Sequence, residues 1–303
     1  MTIHTSRDSK LFSIIIPTFN RAKLLRRALD SVIAQNGWAS SSEIIVVDNT
    51  STDGTTDLLK EYSSVLAHVC RINNNGSIGY SRNVGAGVAN GRILLFLDSD
   101  DAFHSDRLDS LGKYLPENLD EPVWLYNRTV NFMGERGRQP VFRSLSLTDP
   151  FLDLMTRGNA MVTSGTAISK KLFEDVGGFD EDRHSIGVED FALWLKLTSK
   201  GYKPTAVPLA LTYYSVTPHS SSRITRNYVT KTLRCYRRYG KNLEGKDRRQ
   251  AQGMRAYTYA RMMKASQDGI SILVYRRLLV YAIRVSSKTI RLRSLYWLIS
   301  SYL

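Results

Sequence analysis

Residues 94–103, LLFLDSDDAF, constrain this chain more than any other stretch. Leu94, Leu95, Phe96 and Leu97 suit a short strand buried on both faces, as in a parallel sheet. Asp98, Ser99, Asp100 and Asp101 follow at once. If the extended backbone continues, Asp98 and Asp100 lie on one face. Two carboxylates so placed repel each other unless a cation or a proton sits between them. Open α/β sheets place ligands beyond the carboxyl ends of their strands. Oxygen-only ligation favours a hard divalent ion such as Mg²⁺ or Mn²⁺. The same run also reads as a solvated turn, with Ser105 or Asp106 capping the next helix.

The preceding hundred residues supply a context for that strand end. LFSIIIP (residues 11–17) predicts a strand, a loop holds Thr18, Phe19, Asn20 and Arg21, and LLRRALDSVIAQ (24–35) has helical spacing. EIIVVDN gives a second buried strand that ends at Asp48, followed by a polar turn and the helix TTDLLKEYSSV. Residues 68–72 form a candidate third strand. A polar loop then leads to SRNVGAGVAN, a helix whose small residues allow close packing, with a stop at Gly91. This β-α-β-α order implies parallel strands joined by right-handed crossovers. Three strand ends then bring Thr18, Asn20 and Arg21, Asp48 and Asn49, and Asp98 and Asp100 to one sheet edge, with Arg82 after a further connection. Carboxylates accept hydrogen bonds from a base or ribose, arginines hold phosphate oxygens, and a cation on Asp100 can bridge a diphosphate. The constellation describes a nucleoside-diphosphate site. No GxxxxGK[ST] motif accompanies it.

At 303 residues the chain holds one large α/β domain with an appendage, or two modest domains. Apolar content of 42% suffices for a packed core. Cys70 and Cys235 are far apart and lack a CxxC context, which argues against a disulfide framework or structural zinc and fits a reducing cytosol. The opening MTIHTSRDSKLF has no long apolar run after its charges, so no signal peptide is expected. No run of about 18 uncharged residues predicts a transmembrane helix.

Charge divides the chain. Residues 220–303 carry 19 Lys and Arg against three Asp and Glu, an excess larger than the whole-chain net charge of +14. The first 219 residues are therefore slightly acidic. The basic segment has helical spacing, with breaks at Gly240 and Gly269, and tyrosines and Trp297 alternate with Arg and Lys. Such a pattern describes an interfacial helix on an anionic membrane, or helices packed on the main domain with a solvated basic face. Nucleic-acid binding is not favoured, because no recognised motif appears.

The middle of the chain is less periodic. EPVWLYNRTVNFMG has strand character, and RGRQPVFRSLSLTDP reads as an acceptor-side loop or a variable surface insertion. A short helix is expected over residues 151–157. MVTSGTAISKKLFEDVGGFDE then gives a strand, a turn and a helix stopped at Gly177 and Gly178. Ser164 and Gly165 leave room for a sugar close to backbone, or serve tight packing. Residues 203–214 read as a last strand.

IIIPTFNR, IIVVDNTSTDGT, NNNGSIGYSRNVG, LLFLDSDD and GGFDE followed by VEDFALWLKL, in this order and spacing, resemble family 2 glycosyltransferases across about residues 11–220. The resemblance implies an inverting, metal-dependent GT-A enzyme: an α/β, Rossmann-like, mostly parallel sheet flanked by helices, here with a C-terminal basic helical extension. It implies a nucleotide-sugar donor, with UDP the expected nucleotide, and Mn²⁺ or Mg²⁺ held mainly by Asp100. Pro17, Thr18, Asn20, Arg21, Asp48, Arg82, Asp98 and Ser99 would line the donor pocket, with Asp98 near ribose and metal. His219 is a further candidate metal or diphosphate contact. The family often has two acids where this chain has Asp48 and Asn49.

Glu189 and Asp190 precede the helix FALWLKLTSKGY, where an acid is favoured by capping and the helix dipole. Inverting transfer also needs a base for the acceptor hydroxyl. The resemblance places that base at Asp190, with Glu189 beside it. Trp194 is a candidate acceptor platform or a core residue, and His184 is acceptor-side or inert. The expected division is a catalytic domain over 1–222, with a nucleotide half at about 11–101 and an acceptor half at about 102–222, then a helical segment over 223–303. The expected function is sugar transfer to a saccharide or lipid-linked saccharide in cell-envelope or surface glycan assembly, by a cytoplasmic protein peripheral on the inner membrane face. The alternative is a non-catalytic sugar-nucleotide-binding protein that docks through its basic tail.

Overall fold

The computed structural model describes residues 10–132, 138–139, 147–182, 184–215, 226–265, 272–286 and 288–301. The chain divides into two compact units. One comprises residues 1–144, 161–183 and 204–217, and the other 145–160, 184–203 and 218–303. The expected domain boundary at 222 lies outside the described residues.

The first unit contains one sheet. Its opening half runs β1 (Phe12–Thr18), α1 (Ala22–Ile33), α2 (Trp38–Ser41), β2 (Ser42–Asp48), α3 (Thr55–Glu61), β3 (His68–Arg71), α4 (Ile78–Val88) and β4 (Ile93–Phe96). These strands pair in the order β3-β2-β1-β4, all parallel. Parallel strands are covered on both faces, which is why β1, β2 and β4 carry continuous apolar runs and are buried throughout. Leu25, Ala28, Leu29 and Val32 of α1 form its buried stripe, spaced three and four apart. They join Ile14, Ile16, Ile44, Val46 and Leu95 in one core.

The register fixes the functional edge. Thr18 lies opposite Asp48, and Ile15 lies opposite Phe96. The last residues of three parallel strands therefore emerge together. Helix α4 comes unusually close to this sheet. A Cβ built on Gly85 would stand 2.4 Å from Ile15 Cγ2 and 3.2 Å from Val47 Cγ2. The small residues of α4 thus serve close packing.

The second half of the sheet is mixed. It adds β5 (Ala102–Phe103), α5 (Arg107–Gly112), β6 (Trp124–Phe132), β7 (Arg138–Gln139), β8 (Thr166–Ser169), α7 (Lys170–Asp175) and β9 (Thr205–Ser215); α6 (Pro150–Arg157) precedes β8 in the chain. The order continues β4-β8-β6-β9-β5, with β7 on β6. Here β6 and β9 are parallel, and the pairings β4-β8, β8-β6, β6-β7 and β9-β5 are antiparallel. Arg107 ties this half together. It is wholly buried, and its guanidinium donates to Asn127 Oδ1, Thr212 Oγ1 and the Thr166 carbonyl while lying over the Phe103 ring. Burial lowers its pKa to about 9.

The second unit is helical. It contains α6, α8 (Glu189–Ser199), α9 (Arg226–Tyr239), α10 (Gly245–Ala265), α11 (Ile272–Val285) and α12 (Lys288–Ile299). Helix α10 packs against α6, α9, α11 and α12, while α8 packs against α6 and α9. The final basic run forms two helices, α11 and α12. No described helix is long and apolar enough to cross a membrane.

Gly85→Ala is expected to destabilise the fold by about 1–3 kcal/mol, because Ile15 is enclosed and cannot yield. Gly87, whose added Cβ meets nothing within 4 Å, is the control. Gly87→Ala should gain up to about 1 kcal/mol from helix propensity. Urea midpoints with unchanged slopes would measure both.

Candidate active site

The acidic strand end does not continue as extended chain. Leu97 still donates to the Ile15 carbonyl at 2.9 Å, but a turn follows, closed by the Asp101 amide on the Asp98 carbonyl at 2.8 Å. The expected side-by-side display of Asp98 and Asp100 on an extended strand is corrected by this turn. Its effect is to recruit a third acid. Carboxylate oxygens of Asp98, Asp100 and Asp101 all lie within 4.8 Å of one another.

Crowding three carboxylates requires compensation, and each has specific donors. Arg82 from α4 meets Asp98 Oδ1 at 2.6 Å. Arg21, at the start of α1, meets Asp100 Oδ2 at 2.8 Å. Asp101, only 1% exposed, accepts from Ser164 Oγ at 2.6 Å and from the Ser215 amide at 2.8 Å. Ser164 Oγ also accepts from the Asp98 amide at 3.0 Å. The Asp100 carbonyl receives the Arg27 guanidinium and the Ser215 hydroxyl. Desolvation, then the charge of Asp98, raises the Asp100 pKa despite Arg21. Burial, then the charges of Asp98 and Asp100, holds Asp101 well above the usual carboxylate range. Three carboxylates make an oxygen-only donor set that fits a hard divalent cation.

Around this edge stand the other expected donor residues. Pro17 and Thr18 end β1, and the buried Thr18 hydroxyl has no partner among the described residues. Asp48 is buried at the end of β2, where its Oδ1 accepts from the Ser51 amide at 3.0 Å and its Oδ2 faces Arg71 Nε at 3.8 Å. Asn20 adopts a left-handed conformation (φ 49°), which asparagine tolerates, and its side chain accepts from the Thr52 amide at 2.7 Å. It thereby ties the β1 loop to the β2 loop. Asn49 does the same for the β3 loop, accepting from the Asn74 amide at 2.7 Å. Its lost charge relative to a second acid leaves a structural hydrogen bond in place. Ser99 is buried within the acid turn. Gly165 would bring a Cβ within 3.4 Å of the Asn127 carbonyl, so Ser164 and Gly165 serve packing and the acid turn in this structure.

The second acid pair lies in the helical unit. Glu189 and Asp190 open α8 in its first turn, where the helix dipole favours them. Glu189 is buried, and its Oε2 accepts from the Gly187 amide at 2.6 Å. Asp190 is half-buried. Its Oδ2 accepts from Asn159 Nδ2 at 3.1 Å, and its Oδ1 from the Phe191 amide at 2.6 Å. Trp194 is 0% exposed, so its ring has no open face for an acceptor and acts as core. His184 is exposed in the loop before α8. His219 lies outside the described residues.

Asp101, Ser215, Arg27, Arg71 and Asn159 escaped the sequence reading. Asp101 carried a visible signal, a third acid in the same run. Arg27, Arg71 and Asn159 carried none, since only the fold brings them to Asp100, Asp48 and Asp190.

A profile of glycosyl transferase family 2 matches residues 13–177, and one of the N-terminal domain of galactosyltransferase matches residues 143–220. The poly(ribitol-phosphate) beta-N-acetylglucosaminyltransferase TarS of Staphylococcus aureus is 32% identical over 125 residues, 41% of this chain and 22% of TarS. The matched segment thus spans about a fifth of that relative's length. The Escherichia coli UDP-Glc:alpha-D-GlcNAc-diphosphoundecaprenol beta-1,3-glucosyltransferase WfaP is 28% identical over 210 residues, 68% of this chain and 78% of WfaP. Among solved structures, S. aureus TarS 1–349 in complex with UDP-GlcNAc superposes with a TM-score of 0.63 at 21% identity, covering 92% of this chain and 82% of that one. This likeness shows the fold that TarS shares. With the family profile spanning more than half of its length, the chain belongs to glycosyl transferase family 2.

Proposed function

We propose that this chain transfers a sugar from a UDP-sugar to a hydroxyl of a saccharide or lipid-linked saccharide, with inversion, in cell-envelope or surface glycan assembly. The observation that carries the reading is the meeting of Thr18, Asp48, Arg82 and the Asp98-Asp100-Asp101 trio at one edge of a parallel sheet. Relatives support the chemistry: TarS was solved with UDP-GlcNAc, and WfaP is named for a diphosphoundecaprenol acceptor.

In this reading Asp48 accepts hydrogen bonds from the base or ribose, while Arg21 and Arg82 serve the diphosphate. Asp98, Asp100 and Asp101 would hold Mn²⁺ or Mg²⁺, which when bound offsets charge growing on the leaving diphosphate. Asp190 takes the proton of the acceptor hydroxyl as that oxygen bonds to the anomeric carbon. The bond from that carbon to the phosphate oxygen breaks, and its electron pair leaves with UDP. Glu189 holds the turn that presents Asp190.

A membrane-facing surface completes the proposal. Leu292, Leu295, Tyr296 and Ile299 are exposed and spaced as one face of α12, opposite the buried Ile290 and Ser294. Arg276 of α11 donates to Ser301 Oγ at 3.2 Å, and Ile272 and Leu273 at the start of α11 are also exposed. Residues 270–303 carry six Lys and Arg and no acid. An apolar face flanked only by cations matches an anionic bilayer at the cytoplasmic membrane face, where each cation contributes about 1 kcal/mol.

Release of UDP from UDP-sugars should require Mn²⁺ or Mg²⁺, stop with EDTA, and vanish in Asp100→Ala. Asp190→Asn should keep donor binding and lose transfer by about 10²–10⁴-fold. Wild-type transfer by that variant would refute the base assignment.

The cation should also show a pH signature. With raised folded pKa values, Asp100 and Asp101 hold protons that the unfolded chain has released, so their contribution to stability is present at low pH and lost as pH rises through those values. A bound cation displaces those protons. The Mn²⁺-induced rise in Tm should therefore grow as pH rises through and above the ordinary carboxylate range, and a pH-independent rise would place the ion elsewhere.

Co-sedimentation with phosphatidylglycerol vesicles should be strong in low salt and weak with phosphatidylcholine alone. The double variant Leu295→Asp, Tyr296→Asp should lose it. Equal binding of both proteins would exclude this face.

A further inference from the structure

We infer that Lys231 is a positioning residue for the Glu189–Asp190 pair, and that α9 belongs to the working half of the molecule rather than to a basic appendage. The inference rests on the reading of Asp190 as base. Among the described residues Lys231 is the buried lysine, 9% exposed, and its Nζ donates to the Ile186 carbonyl at 2.7 Å. A buried ammonium is costly unless hydrogen-bonded, and its bond to a neutral carbonyl is charge-assisted. Ile186 sits in the turn that enters α8. The next residue, Gly187, has φ 85° and donates its amide to Glu189 Oε2. Lys231, Ile186, Gly187 and Glu189 thus form one short chain of contacts that sets where α8 begins.

The same face of α9 makes a second contact with this site. Lys231, Thr232, Cys235 and Tyr236 are its buried residues, spaced as one helical face, whereas Arg234, Arg237 and Arg238 are exposed. The Tyr236 ring meets Phe191, the residue after Asp190, edge to face at 5.4 Å. Tyr236 also closes on Gly158, where an added Cβ would be 3.4 Å from its hydroxyl and 2.9 Å from Met254 Cε. Gly158 leads into Asn159, the donor to Asp190 Oδ2. Both flanks of the Asp190 carboxylate are therefore braced by α9 and α10.

The test compares Lys231→Met with Lys231→Arg, beside wild type and Asp190→Asn. Lys231→Met keeps the length and apolar stem but cannot donate, while arginine restores a cationic donor. Amide exchange at Gly187 and Val188 should accelerate about tenfold or more in Lys231→Met, with α10 protection unchanged, and return toward wild type in Lys231→Arg. In turnover, kcat should fall at least about tenfold with donor KM within about twofold, since the donor residues are untouched. Unchanged exchange in Lys231→Met overturns the inference whether or not a donor has been found. Accelerated exchange with unchanged kcat overturns it too. Loss of protection across α10 in both variants would mark Lys231 as a general stability residue and also overturn it. Should Asp190→Asn transfer normally, the base assignment fails, and that result is read separately from the exchange data.

Discussion

Mutual repulsion among Asp98, Asp100 and Asp101 is the constraint around which the sheet edge is built. Three carboxylates within 4.8 Å would drive the turn apart if left alone. The surrounding elements each contribute a countermeasure. Helix α4 delivers Arg82, the start of α1 delivers Arg21, β9 delivers the Ser215 amide, and the turn before β8 delivers Ser164. Burial and the neighbouring charges then raise the pKa values of Asp100 and Asp101 despite those donors. An oxygen-only trio held this close is a donor set that fits a hard divalent cation.

Strand β4 is the seam of the sheet. On one side it pairs with the parallel β1, and on the other with the antiparallel β8. Strands that all point one way bring Thr18, Asp48 and the acid turn to a common edge. On the far side, pinned by the buried Arg107, β8 runs against β4 and Ser164 stands just before its start, whereas β9 runs with β4 and presents Ser215 at its end. A cluster gripped from both directions needs both kinds of pairing. Helix α8, in turn, begins with the acids that the family reading needs, and it is packed with α6 and α9 in a separate unit.

The first hundred residues were readable because their signals are local. Apolar quartets end in polar residues, so β1, β2 and β4 and the identity of the edge follow from pattern alone. Asp98, Asp100, Asp48 and Arg82 were accordingly anticipated. What escaped was whatever the tertiary fold decides. The turn at Ser99 could not be told from continued extension, because Asp and Ser suit both. Trp194 sits in an amphipathic helix where a stacking platform and a core residue look alike in sequence. The mixed half of the sheet was legible only as isolated strands, since β6 pairs with β8 and β9, partners about 40 to 80 residues away in the chain. The role of α9 was hidden by its arginines, which advertise an exposed face and say nothing of the one holding Lys231 and Tyr236.

The bonds that stabilise the acid turn have a consequence for assembly. The Asp100 carbonyl is held by Arg27, 73 residues earlier, and by Ser215, 115 residues later, and Arg27 and Ser215 bond each other at 2.7 Å. Contacts of such span form late, because chain closure must precede them. A nascent chain that has already folded β1 to β4 therefore carries the aspartates but not their clamp. Asp101 can gain the Ser215 amide only once β9 has been synthesised. The acid turn is, in effect, a checkpoint on completeness: a truncated chain can own Asp98, Asp100 and Asp101 and still lack the Ser164 and Ser215 contacts that hold them.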